Sequence, residues 1–135
     1  YSIKSPILFK AMSTQEIPPY LNQIAQIIFD KKGKNILALD IRGISSADFV
    51  IIAEGNVDKH VSAIASTIVD ELKKIGLKPS YTEGLQNGDW AAIDYSHTVV
   101  HIFEPGLRER YDLEELWNKG SILDLEINIE SDKQV

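Results

Sequence analysis

DWAAIDYSHTVVHIFEP, Asp89 to Pro105, is the stretch on which the fold turns. It reads as a β-hairpin, with strands at Trp90–Tyr95 and Thr98–Phe103 joined at Ser96-His97. Side chains alternate across a strand. With a two-residue loop, Tyr95 pairs with Thr98, and the next pairs are Asp94 with Val99, Ile93 with Val100, Ala92 with His101, Ala91 with Ile102 and Trp90 with Phe103. One face then carries Ala91, Ile93, Val100 and Ile102, small and branched residues suited to packing under helices. The other carries Trp90, Ala92, Asp94, Val99, His101 and Phe103, where aromatics mix with titratable groups, as on a surface made to be met. The register hangs on the tip. Two-residue loops favour Gly or Asn at positive φ, Ser96-His97 has neither, and a slip of one residue would exchange the faces.

Outward from the hairpin, the pattern alternates helix and strand. Ile17, Leu21, Ile24 and Ile28 recur at helical spacing behind Pro18-Pro19, which predicts a helix over 18–32 ended by Gly33. Ile36–Ile41 and Asp48–Glu54 read as a strand pair around an Arg42-Gly43 turn. Asn56 is placed to cap a second helix, whose stripe is Val57, Val61, Ile64, Ile68, Leu72 and Ile75, closed by Gly76. Pro79–Leu85 reads as a weaker strand before a Gln86-Asn87-Gly88 turn. After Pro105, Asp112 and Glu115 have capping-box spacing, with Leu113, Leu116 and Trp117 as the apolar side of a short final helix. From Ser121 the tail is acidic and reads as loosely docked.

These elements specify an α+β (mixed α/β) fold: one mixed sheet of about five strands, with two long helices on one face and a short C-terminal helix. Two helices cover one sheet face, so the second face must meet solvent or a partner.

The 135 residues suit one domain, and 44% hydrophobic with 25% charged is an ordinary globular balance. No apolar run approaches the roughly 20 residues that span a bilayer. The absence of cysteine excludes disulfides, thiolate metal sites and cysteine nucleophiles. The net charge is −6, and residues 121–135 contribute half of it through Asp124, Glu126, Glu130 and Asp132 against Lys133. Such a chain is a poor tracker of phosphate backbones, so little direct nucleic-acid binding is expected; it would be drawn to a basic partner.

The chemistry-bearing residues support catalysis weakly. His97 and His101 stand four apart, and on a strand that is about 13 Å, too far to share an ion held at about 2.1 Å. His60 reads as a surface residue without a near partner. No nucleophile elbow or phosphate loop is present. Asp40, Asp48 and Asp94 could converge as metal-holding acids for nucleotidyl transfer, the competing reading, but no acid pair stands beside a Gly-Ser loop. Trp90, Phe103, Arg108, Tyr111 and Trp117 belong to the residue types that dominate binding hot spots; Trp117, on its helical stripe, reads as core.

LDIRGISSADFVIIAEG (39–55), HVSAIA (60–65), GDWAAIDY (88–95), VVHIFEP (99–105) and R-x-x-YDLEELW (108–117), taken in order, closely resemble the Iojap family of ribosomal silencing factors. The resemblance covers residues 18–120, leaving 1–17 as an N-terminal extension and 121–135 as the acidic tail. It implies a nucleotidyltransferase-related fold without catalysis, metal or cofactor. It implies binding to the large ribosomal subunit through ribosomal protein L-fourteen, so that subunit joining is blocked and translation repressed, with a role in large-subunit maturation and a homodimer when free. Trp90, Asp94, His101, Glu104, Arg108 and Tyr111 stand at matching motif positions, and with Phe103 they form the expected partner-binding set. The family's Gly-Asp at the hairpin tip is Ser96-His97 here. The implied setting is the bacterial cytoplasm, with mitochondrion or chloroplast as the alternative.

Overall fold

A computed structural model describes residues 17–86, 88–107 and 120–129. In chain order they form α1 (Tyr20–Asp30), β1 (Lys34–Asp40), β2 (Phe49–Glu54), α2 (Asp58–Lys73), β3 (Tyr81–Glu83), β4 (Trp90–Asp94), β5 (Thr98–Phe103) and β6 (Ser121–Ile122). The sheet order is β3-β4-β5-β2-β1-β6. Only the β2–β5 pairing is parallel, so the sheet is mixed as expected. It has six strands among the described residues rather than about five, because the start of the tail adds β6 to the free edge of β1. Residues 105–107 turn into helix; the predicted body of that helix, with Asp112, Leu113, Glu115, Leu116 and Trp117, lies outside the described residues. No described helix is long and apolar enough to cross a membrane.

The helical layer forms where periodicity places it. Leu21, Ile24, Ala25 and Ile28 of α1 and Val61, Ile64, Ala65, Ile68 and Leu72 of α2 are buried. They pack on Phe49, Ile51, Ala91, Ile93, Val100 and Ile102 from one sheet face. Each Val, Leu, Ile or Phe among them contributes roughly 1.5–3 kcal/mol by leaving water, and the alanines less. Val57 and Ile75, the ends of the predicted α2 stripe, are instead more than half exposed, because they flank the helix rather than sit in it.

Both helix ends differ in detail from the sequence reading. α1 stops at Asp30, and Lys32 takes the left-handed conformation (φ 69) while the Gly33 N–H bonds to the Ile28 carbonyl at 2.7 Å. Asn56 does not cap α2; Val57 occupies that position with no side-chain cap. His60 reaches back instead: its Nδ1 accepts the Asn56 backbone N–H at 2.8 Å, and its Nε2 lies 2.6 Å from the Lys31 carbonyl. The histidine read as partnerless thus ties the end of α1 to the start of α2.

The second face is not uniformly open. FVIIAE forms the central strand β2, where Phe49, Val50, Ile51, Ile52 and Ala53 are all buried, so both of its sides are covered. Leu39, Ile41, Ala47, Val50, Ile52 and Phe103 make a second core, with Leu37, Trp90, Val99 and Leu107 packed against it. Among the described residues, this face is least covered at the β3–β4 end of the sheet, where Tyr81 and Glu83 are exposed and Trp90, Ala92, Asp94 and the neighbouring His101 are half-buried.

The described part of the tail, residues 121–129, is more firmly held than its composition suggests. Its β6 pairs with β1, and the Leu123 N–H bonds to the Ala38 carbonyl at 2.8 Å. Leu123 and Leu125 pack against the helical-face core. Beyond them the Glu126 N–H bonds to Asn22 Oδ1 (2.9 Å) and the Asn128 N–H to Gln26 Oε1 (2.6 Å). Acidic residues alternate here with Leu and Ile; Leu123 and Leu125 anchor the segment together with these backbone bonds, while Ile122 and Ile129 stay exposed.

Candidate functional site

The β4–β5 register is the expected one: Trp90 opposite Phe103, Ala91 opposite Ile102, Ala92 opposite His101, Ile93 opposite Val100 and Asp94 opposite Val99. The tip closes despite its unfavourable residues because Ser96 itself takes φ 76. A non-glycine residue is uncommon there, and local bonds hold it: the Ser96 N–H donates to Asp94 Oδ1 at 2.7 Å, and the Tyr95 N–H to the Thr98 carbonyl at 2.8 Å. The His97 carbonyl accepts from the backbone N–H groups of Asp48 (2.8 Å) and Phe49 (3.0 Å), locking the tip onto β2.

On the displayed side, Trp90, His101 and Phe103 form three near-parallel rings. Their centroids lie 5.9–6.0 Å apart, with interplanar angles of 2° to 17°. The Trp90 indole N–H donates to His101 Nδ1 at 3.2 Å. An indole N–H and an imidazole lone pair both lie in their ring planes, so this bond sets the two rings side by side as one flat plate. It also fixes the His101 tautomer, leaving the proton on Nε2. Burial pushes the His101 pKa down to about 4, an effect that nearby Asp94 opposes but does not overcome. His101 is therefore neutral at pH 7, and the plate is uncharged.

The site residues divide by role. Trp90 and His101 are half-buried and form the plate. Phe103 is 1% exposed, which corrects its reading as a presented residue: it is the floor on which the plate rests, held within the second core. Asp94 is half-buried on the same side, but one carboxylate oxygen is committed to the hairpin tip. The Glu104 N–H bonds to the Asp89 carbonyl at 2.9 Å and carries the ladder one step past β5. Arg108 and Tyr111 lie outside the described residues.

Sequence reasoning missed Tyr81 and Glu83. Strand β3 pairs Tyr81 with Asp94 and Glu83 with Ala92, and directly opposed residues in an antiparallel pair share a face. Both therefore extend the Trp90–His101 side. Tyr81 is 59% exposed, and its hydroxyl donates to Glu83 Oε1 at 3.2 Å. The signal was the alternation Tyr81-Thr82-Glu83, legible only once the β3–β4 register is known. An open cleft of about 730 Å³ adjoins the plate, lined by Glu83, Gly84, Leu85, Asp89 and Trp90 among others.

The acids proposed for metal chemistry do not converge. Asp40 receives Arg42 through Nε at 3.0 Å and a terminal nitrogen at 2.5 Å, and those bonds hold its pKa below the ordinary value. The same guanidinium lies 5.0 Å over the Phe49 ring. Asp48 pairs with His97 at 3.2 Å, and Asp94 serves Ser96. No group of three or more metal-ligating side chains occurs among the described residues. His97 and His101 stand apart, one at the tip and one in the plate.

A family model described as "Ribosomal silencing factor during starvation" matches residues 14–135. The chain is 40% identical over 101 residues to a ribosomal silencing factor, RsfS, of Bacillus subtilis, covering 74% of this chain and 86% of the relative. It is 30% identical over 80 residues to a mouse protein named for mitochondrial assembly of the ribosomal large subunit, covering 57% of this chain and 35% of the relative. Among solved structures, a Bacillus halodurans protein superposes with a TM-score of 0.70 at 34% identity, over 78% of this chain and 97% of that one.

Proposed function

Because the chain belongs to the RsfS family of ribosomal silencing factors, we propose that it binds the large ribosomal subunit through ribosomal protein L-fourteen and blocks subunit joining. The coarser role, ribosome-associated regulation of translation, comes with the family. The finer reading rests on one observation: the half-buried Trp90–His101 plate, floored by Phe103, at the end of the sheet and on the face away from the described helices. A flat plate of fixed rings loses little conformational freedom on docking, and its apolar area leaves water when covered; buried Trp is the most enriched hot-spot type.

The charge balance supports the same partner class. At net −6 the chain is attracted to a basic protein surface and repelled by exposed phosphate. Tyr81, Glu83 and Asp94 rim the plate with hydroxyl and carboxylate groups that suit basic side chains. Glu104, Arg108 and Tyr111 follow β5 directly in sequence and are proposed as flanking contacts. The protein acts in this reading by occupying a surface, with no bond made or broken. Nucleotidyl transfer is disfavoured because Asp40, Asp48 and Asp94 are each engaged by a different partner. A cytoplasmic or organellar ribosome, and a homodimer of the unbound protein, are both compatible with this reading.

The test is co-sedimentation with isolated large subunits, with and without small subunits. The expected result is co-sedimentation with large subunits alone and fewer joined ribosomes when both are present. Failure to co-sediment at low salt would overturn the proposal.

A further inference from the structure

We propose that Ser62, on the opposite layer of the molecule, is a positioning residue for Trp90, acting through the Gly84–Asp89 loop. The inference rests on the reading of Trp90 as a docking residue. The loop joins β3 to β4 and ends at Trp90, so its shape decides where the indole begins. It is fastened on the helical side: the Ser62 hydroxyl of α2 donates to the Leu85 carbonyl, and the Leu85 side chain packs against the helical-face core. Trp90 leaves β4 toward the other face, packed against the second core. Leu85 and Trp90, at the two ends of this connection, therefore sit on opposite layers.

The link from Leu85 to Trp90 is a steric one. Gly84 has φ 75, a conformation glycine adopts without penalty. A Cβ at Gly84 would collide with the Trp90 carbonyl oxygen. A Cβ at Gly88 would lie 2.8 Å from the same oxygen and 3.0 Å from the Gly84 carbonyl oxygen. At Gly84 and Gly88 the backbone thus lies against the Trp90 peptide at a separation that only glycine allows, so a shift of Gly84 is felt at Trp90. Leu85, fixed by Ser62, is the neighbour of Gly84 in the chain. Loss of the Ser62 hydroxyl releases the loop at its one side-chain clamp seen among the described residues, and the indole loses its fixed origin while the rings beneath it stay in place.

The test uses the full chain. Ser62→Ala, Ser62→Thr and Trp90→Ala are compared for affinity to isolated large subunits and for thermal stability. In parallel, Ser62→Ala and Ser62→Thr are placed in a Trp117→Phe background, where Trp90 is the sole indole, and acrylamide quenching is read. Ser62→Ala is expected to raise quenching about twofold and to weaken binding on the order of three- to tenfold, the scale of one hydrogen bond. Ser62→Thr, which keeps the hydroxyl, restores both. Wild-type binding and quenching in Ser62→Ala overturns the positioning role when Trp90→Ala does weaken binding. Wild-type binding by Trp90→Ala overturns the docking reading itself, and the inference with it. A purely structural role for Ser62 would lower the melting temperature without changing quenching of the folded protein, and that result also overturns it.

Discussion

The Trp90 indole N–H donates to Nδ1 of His101 across the β4–β5 pair at 3.2 Å, joining two residues eleven apart into one aromatic plate. Each ring fixes the other: the imidazole orients the indole, and the indole selects the imidazole tautomer. Trp90→Ala removes the larger ring and orphans that nitrogen. It is predicted to weaken binding to large subunits by about 2 kcal/mol or more, as hot-spot truncations do. Trp90→Phe keeps a ring on Phe103 but cannot donate, and should cost about 1 kcal/mol, the worth of the hydrogen bond. Equal affinities for wild type and Trp90→Ala, with the fold intact, would remove Trp90 from the docking surface.

His101 makes stability depend on pH in a defined window. Its folded pKa is pushed to about 4, below the ordinary 6.5, chiefly by burial. Between those values the unfolded chain takes up a proton that the folded chain refuses. Stability is therefore full above pH 6.5, falls as pH drops, and stops falling from this cause below pH 4. The whole loss is at most about 3 kcal/mol. Urea denaturation at steps from pH 7.5 to 4 should show the slope, and His101→Gln should flatten it. An unchanged slope in His101→Gln would assign the effect elsewhere.

Alternation along Trp90–Phe103 was enough to sort the hairpin faces, because the period of two is a property of the strand backbone itself. The helical stripes were legible for the same reason at period 3.6. What the sequence did not show depends on contacts between distant segments. His60 is bonded by Asn56 and Lys31 only because α1 ends beside the start of α2. Phe103 looked presented because its face was right, but depth is set by the second core around β1 and β2. Tyr81 and Glu83 joined the site through a three-residue strand whose pattern is too short to assign a face. The tail read as loosely docked because charge dominates its composition, while its described part is anchored by Leu123, Leu125 and backbone groups that any sequence carries.

Asp94 is predicted to act through the turn as well as at the surface. Its carboxylate holds the Ser96 N–H at 2.7 Å, where Ser96 sits at φ 76. Asp94→Ala removes the acceptor and leaves the strained residue unsupported. The expected loss is about 1 kcal/mol of stability, with Asp94→Asn losing less because its amide oxygen still accepts. Amide hydrogen exchange at Ser96 and His97 should accelerate first. A melting temperature and exchange pattern identical to wild type in Asp94→Ala would show that the bonds from the Asp48 and Phe49 N–H groups to the His97 carbonyl hold the tip without it.

Gln26 is predicted to be the main side-chain clamp on the described part of the tail. Its amide behaves like a peptide group: Oε1 accepts the Asn128 N–H at 2.6 Å and Nε2 reaches the Asn128 carbonyl at 3.2 Å. Nε2 also lies 2.9 Å from Asp30 Oδ1, which steadies the amide along α1. Gln26→Ala removes these bonds at an exposed site where water can replace them, so global stability should fall by only about 0.5–1.5 kcal/mol. The local effect should be larger: exchange at Asn128 rises toward the unprotected rate, while Leu123, bonded to Ala38, keeps most of its protection. If protection at Asn128 survives in Gln26→Ala, the tail is held by the packing of Leu123 and Leu125, and the amide clamp is incidental.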